Sequence, residues 1–287
     1  MSRWHLIDAS AAAVPFGDIP SGIVLDGPPV VDAPPDRVDD APLPRRDGVV
    51  FGVDFLDGFA VTFPLAIAGA DEAEVRSRAG TFAAAWRAEA IRRTPGAVAQ
   101  LQSPTGRVLF GRPRHLTPDD TDAPSGLILA TALFAGADAR WYGPEQSVAA
   151  PFTVMPSGGM VAPFVAPFTT ASSAAGGTTA TVGGLLDTSP IVTINGPVTN
   201  ADVTIGPLRF VIRASLAADE SVVIDTRPWR STITRNGAPA PGILSADSTW
   251  LADALLPPGD HLVAIQGTSE SGTASVSVAW RDAFPTY

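Results

Sequence analysis

With 287 residues, 45% of them hydrophobic and only 17% charged, the chain is too apolar for a disordered protein and long enough for two domains with a core each. Its net charge of −10 is spread along the whole chain: residues 1–150 hold 13 Arg against 19 acidic side chains, and the rest hold 6 against 10, so no basic stripe exists for gripping phosphates. The absence of cysteine excludes a disulfide framework, a thiolate nucleophile and a cysteine-type zinc site.

All nineteen basic residues are arginine. Arg, Ala, Gly and Pro share GC-rich codons, so this bias reports base composition rather than chemistry. Met1 to Asp8 lacks the apolar core of a secretory signal, and no run of about 18 apolar residues is present to cross a bilayer. The expectation is a chain without membrane insertion that stays in the cytoplasm until assembly or release.

Residues 26–47 carry Pro28, Pro29, Pro34, Pro35, Pro42 and Pro44 among aspartates, which predicts an extended, solvated loop or arm. From Val49 the pattern changes. Val49, Phe51, Val53 and Phe55 alternate, Asp57-Gly58 follows, and Phe59, Val61, Phe63 and Leu65 alternate again, which predicts a hairpin turning at Asp57-Gly58. Asp71, with Glu74 three residues on, opens a helix whose stripe is Val75, Ala79, Phe82, Trp86 and Ala90. Arg92 and Arg93 sit at its negative end and Pro95-Gly96 stops it. A second hairpin is predicted at 97–111 around Ser103-Pro104-Thr105-Gly106, then an acidic loop at 117–125 and a strand at 127–134. One helix laid on an antiparallel sheet is an α+β domain, ending near Trp141-Tyr142-Gly143-Pro144.

Residues 145–184 show no helical period and include the small-residue tract 169–179, which reads as a flexible linker or an exposed loop. From Pro190 short strands recur at 191–195, 208–214, 221–225, 231–235, 261–266 and 274–280. Turns fall at Asn195-Gly196-Pro197, Asn236-Gly237 and Pro258-Gly259, and the whole predicts a jelly-roll-like sandwich.

No catalytic, cofactor-binding or metal-ligating residue is assigned. A Ser-His-Asp set would need one of His5, His115 or His261, and no Gly-x-Ser-x-Gly elbow accompanies them. The carboxylate pairs Asp39-Asp40 and Asp119-Asp120 lie in proline-rich loops with no aromatic neighbour to raise a pKa. The aspartates at 32–40 lack the ligand spacing and central glycine of a calcium loop. Val182-Gly183-Gly184-Leu185 is followed by no helix, so it makes a poor phosphate cradle. Of the tryptophans suited to stacking on a sugar, Trp229, Trp250 and Trp280, the last alternates with Val276 and Val278 and is expected in the core. Trp250 is expected to pack inside as well, with a surface contact as the alternative.

In the first half, Gly48-Val49-Val50-Phe51-Gly52, Trp86-Arg87, Arg92-Arg93-Thr94-Pro95-Gly96, 108–113 and 137–142 resemble the amino-terminal domain of the distal tail proteins of siphophages, especially those of actinobacteria. In the second half, 191–197, Ile224-Asp225-Thr226-Arg227, Asn236-Gly237, Leu256-Pro257-Pro258-Gly259 and Trp280-Arg281-Asp282 resemble that family's galectin-like sandwich. The segment from Val148 to Gly184 departs from the pattern. The resemblance implies a mainly β fold in three parts: a tail-tube-like split barrel or sandwich with one helix at 1–147, a linker or insertion at 148–189, and a galectin-like sandwich at 190–287.

The same resemblance implies a structural virion component at the tail tip and not an enzyme. It would form a homo-oligomeric, hexameric ring between the tail tube protein and the tip or hub protein, with tape measure and fibre proteins as further partners. DNA would cross the lumen unbound, past an acidic wall. The hairpin at 49–65 and the proline-rich arm would make the contacts between subunits, since a ring leaves no sheet edge unpaired. The rival readings are a carbohydrate-binding sandwich that grips a host glycan, and a cell-wall hydrolase, for which only the loop carboxylates speak.

Overall fold

The computed structural model describes residues 3–8, 11–152, 177–269 and 272–287. It is mainly β and divides into two compact units, Met1–Pro144 with Ala283–Tyr287, and Glu145–Asp282.

The first unit is built on an antiparallel sheet in the order Ala13–Phe16, Trp4–Ile7, Ala99–Gln102, Val108–Asp119, Leu127–Gly136 and Ala60–Ala68, with Ile23–Leu25 and Val30–Asp32 both on the far side of the last. Strict alternation sets the inner face: in Ala60–Ala68, Val61, Phe63, Leu65 and Ile67 are buried while their neighbours are partly open. The hairpin expected at Ser103 to Gly106 is present, with Gly106 at φ 86°. Between Pro113 and Leu116 the strand carries one extra residue, a bulge that leaves Arg114 and His115 exposed.

One helix, Glu72–Arg87, lies on strands Ala60–Ala68, Val108–Asp119 and Leu127–Gly136. Its start is set by side chains, because Asp71 accepts from the Glu74 N–H at 2.8 Å and Glu74 reaches back to the Ala70 N–H at 2.6 Å. Val75, Phe82 and Trp86 are buried as the stripe predicts. The helix does not continue to Ala90. Ala88 takes φ 46° and a separate turn, Glu89–Arg92, brings Ile91 rather than Ala90 to the core. The core itself is aromatic: Trp4 stands edge-on to Phe63 at 5.0 Å, Phe16 to Phe63 at 5.1 Å, and Phe82 tilts on Trp86 at 5.4 Å.

The hairpin expected at Asp57-Gly58 is absent. A type I′ turn needs positive φ, which Gly58 does not have. Gly58 instead lies flat against the sheet, where an added Cβ would stand 2.1 Å from the Gly136 carbonyl oxygen. The chain from Val49 to Ala68 therefore runs through this point, and its partner is the proline-rich segment before it. Val30 pairs with Thr62, Asp36 with Leu56 and Ala41 with Val50, and the ribbon turns at 43–48, where the Leu43 N–H meets the Gly48 carbonyl at 3.1 Å. Gly58→Ala is expected to cost about 1–3 kcal/mol by overpacking. Gly237→Ala, with open space around its Cβ, pays only for its φ of 79°. Thermal melts of the two variants check this, and equal losses would contradict it.

The second unit is a sandwich of two antiparallel sheets around one core. One runs Ser275–Phe284, Ile191–Asn195, Ser221–Asp225, Thr232–Arg235 and Ala238–Pro239. The other runs Thr178–Val182, Gly259–Thr268, Val198–Ile205 and Leu208–Val211, with Ser215–Leu216 also on Val198–Ile205. Val192, Ile194, Ile224, Val276 and Val278 of the first face Val203, Ile205, Phe210, Val263 and Ile265 of the second. Asn236 and Gly237, at φ 48° and 79°, make the expected two-residue turn. Thr178–Val182, read from sequence as part of a linker, is a strand; the tract before it, 153–176, lies outside the described residues.

Candidate functional site

The ribbon at 30–57 stands out because its apolar side chains are not its own core. Phe51 is 79% exposed and Val53 67%, and Val38, Val49, Val50, Phe55 and Leu56 are exposed with them. The returning side is exposed throughout residues 49–56, and only Val49–Val50 and Phe55–Leu56 of it are paired as strands, with an irregular stretch at 51–54 between them. Exposed apolar groups gathered in one segment mark an interaction surface, unlike a scattered Leu.

The two edges of the ribbon differ chemically. Pro34, Pro35, Pro42 and Pro44 on the outgoing side have no N–H to offer and blunt that edge. Residues 48–57 on the returning side contain no proline, so every residue there keeps an N–H that an added strand could use. Polar contacts between the strands hold the ribbon together: Gly52 N–H donates to Asp40 Oδ1 at 3.1 Å, Asp57 N–H to the Pro35 carbonyl at 3.0 Å, and Arg37 pairs with Asp57 at 2.9 Å. The ion pair is half exposed and adds little.

Where the ribbon joins the sheet sits a buried acid that sequence reasoning passed over. Asp138 is 7% exposed, accepts a hydrogen bond from the Tyr142 hydroxyl on Oδ2 at 2.5 Å, and its backbone carbonyl accepts from the Phe59 N–H at 3.2 Å. Its Oδ1 has no partner among the described residues. Burial lifts its pKa to about 6, against the pull of Tyr142 and Arg140, and the same burial raises Tyr142. Asp138 lies within the 137–142 segment quoted for its resemblance, and a lone Asp gives no sequence signal of burial.

The lifted pKa has a pH signature. Below pH about 4 the carboxyl is protonated in both folded and unfolded chain; between 4 and 6 the folded chain keeps a proton that the unfolded chain has released. Stability therefore falls as pH rises through that window, and above it the full penalty, on the order of 3 kcal/mol, is present. Asp138→Asn, which keeps an acceptor for Tyr142, is expected to gain stability over the native chain as pH rises from 4 to 7. Paired denaturant titrations check this, and a gap that does not change with pH would contradict it.

The other sequence candidates are dispersed. His115 is exposed on the bulge, His5 is half-buried on the amino-terminal strand, and His261 is buried with its ring 2.7 Å from the Pro257 carbonyl. Asp39 and Asp40 are exposed on the ribbon, and hydrogen bonds from Thr121 hold Asp119 below the ordinary carboxylate range. Among the described residues no group of three or more acidic or histidine side chains is placed to hold a metal. Trp280 is in the core as expected, but Trp250 is not: it is 77% exposed, because it follows a segment clipped to a sheet edge rather than lying in a strand.

Residues 183–284 match the family described as the siphovirus-type tail component, C-terminal domain. Over its length the chain is similar in structure to the SPP1 Dit (gp 19.1) protein, described as a paradigm of the hub adsorption apparatus in phages infecting Gram-positive bacteria, with a TM-score of 0.62, 13% identity and 99% of each chain covered. It is also similar to a chain of the phage P2 baseplate in its activated conformation with Ca, with a TM-score of 0.55, 11% identity and 97% of this chain and 98% of that one covered. No curated protein matches the sequence.

Proposed function

We propose that this chain is a siphovirus-type tail component of the distal tail kind at the tip of the virion, and that it closes into a homo-oligomeric ring, six copies round, joining the tail tube to the tip or hub protein; the match of residues 183–284 and the shared fold support this reading. The first unit forms the annulus and the second presents docking faces to tip or fibre proteins. DNA crosses the lumen without specific contact, in keeping with a net charge of −10.

The observation that carries this reading is the exposed returning strand of the ribbon. Burying a Val or Phe side chain is worth about 1.5–3 kcal/mol, so Val50, Phe51, Val53 and Phe55 together offer roughly 6–12. Association costs on the order of 4–15 kcal/mol, so a single arm contact is marginal. In a closed ring each copy gives one such contact and receives another, and the ring is favoured over the open pair. Gold-labelled antibody against this chain should mark the tail tip of intact virions; label elsewhere, or none, would overturn the assignment.

A further inference from the structure

Between the helix Glu72–Arg87 and the strands Val108–Asp119 and Leu127–Gly136, the first unit holds an open groove of about 660 Å³. Ala79 and Trp86 of the helix and Leu116, Ile128 and Ala130 of the sheet make its apolar lining, and Gly80 lines it too. Gly80 stands in the interior of the helix, where glycine is unfavourable, yet a Cβ added to it would meet nothing within 4 Å. The chain's own packing therefore does not require a glycine here; what the glycine does is keep the groove open.

The groove is basic in an acidic chain. Arg76, Arg87, Arg92 and Arg114 line it against one acid, Asp120, although the net charge of the whole is −10. Arg76 is held by Glu72 and Asp120, and Arg87 by Glu89. Arg92 donates from Nη2 to the Pro113 and Arg114 carbonyls at 3.1 and 2.8 Å, and neither Arg92 nor Arg114 has an acidic partner among the described residues. An apolar trough flanked by unpaired cations fits a segment that is apolar and acidic together.

The returning side of the ribbon has that chemistry. Residues 47–57 carry exposed valines and phenylalanines with Asp47, Asp54 and Asp57 and no basic residue, the two arginines of the tip, Arg45 and Arg46, lying just before them. Asp54 has no cationic partner among the described residues. The ribbon stands clear of its own groove: Ile128 and Ala130 pair with Ile67 and Leu65, whereas the ribbon leaves the sheet beside Ala60, five to seven residues away, or about 17–23 Å at the rise of a strand. Two unlike, complementary patches at opposite ends of one unit make a head-to-tail contact, the kind that repeats around a ring.

We propose that this groove receives residues 49–56 of a second copy's ribbon, with Val and Phe side chains over Leu116, Ile128 and Ala130 and Asp54 against Arg114. The inference rests on the ring reading and names the surface that receives the arm. A groove of this size takes the side chains of one segment and not a second domain.

The test follows assembly of the full chain and its variants by light scattering across a concentration series, with a thermal melt of each. Arg114→Glu and Asp54→Arg should each raise the concentration of half-assembly by about tenfold or more at an unchanged thermal midpoint, since both side chains are exposed and like charges then meet. A chain carrying both changes should assemble close to the native level, and so should an equal mixture of the two single variants, in which alternating copies pair opposite charges again. Gly80→Leu should melt higher than the native chain and yet assemble less well, a split that damage to the fold cannot produce. If the native chain assembles and these variants assemble as it does, or if the two reversals fail to rescue each other, the groove has another occupant and the proposal falls while the ring stands. A native chain that never assembles overturns ring and groove together.

Discussion

A chain in which residues 36–56 are replaced by a two-residue turn is expected to fold, and to stay monomeric at concentrations where the native chain assembles. The fold should survive because the removed side chains, Leu43 apart, are exposed, and none of them belongs to either core. The cut also leaves Val30–Asp32 paired with Ala60–Ala68, so the sheet keeps its edge. Assembly should fail because the excised segment carries the free strand edge and the apolar side chains together. A loss of about 5 kcal/mol per contact already weakens association by more than 10³-fold. Far-ultraviolet circular dichroism and light scattering on the same sample read the two halves of the expectation. An unchanged oligomer mass would show that the contacts lie elsewhere.

Trp86→Ala should be the most damaging single change to the fold itself. Trp86 is 1% exposed and ties the helix to the sheet through Phe82 at 5.4 Å, Phe16 at 5.9 Å and Phe63 at 6.3 Å. Removing the indole leaves a void between layers that rigid aromatic neighbours fill poorly, and the expected cost is about 3–5 kcal/mol. Its own ring nitrogen has no partner among the described residues, so no hydrogen bond is lost and the cost is one of packing. Chemical denaturation measures it; a loss below 1 kcal/mol would mean the helix docks without this anchor.

What could be read from sequence follows the same physics. The capped helix, the hairpin at Ser103 to Gly106, the Asn236-Gly237 turn and the strands that alternate cleanly were legible because each is fixed by residues close in sequence. Val198–Ile205 was not seen because a bulge between Thr199 and Asp202, with Asn200 at φ 53°, breaks its period of two. Asp57-Gly58 misled because Asp-Gly signals a turn only when the glycine is not needed for close backbone approach, and here the contact with Gly136 takes it. The alternation from Val49 to Phe55 reads from sequence as one arm of a hairpin that contacts neighbouring subunits; the structure leaves it in solvent, but pairs it with the proline-rich segment rather than with Phe59 to Leu65. A period-two pattern says that a strand wants covering without saying which molecule covers it. Trp250 and Asp138 show the complementary gap, since burial of a single side chain depends on distant elements that local pattern does not encode.

Closure into a ring is the proposal on which the exposed ribbon gains its meaning. The decisive measurement is the mass and outline of the purified full-length chain across a wide concentration range, by mass photometry and negative-stain imaging. A closed annulus of about six copies, forming steeply with concentration, is the predicted result. A particle that remains a single chain at every concentration, with the ribbon intact, would contradict it.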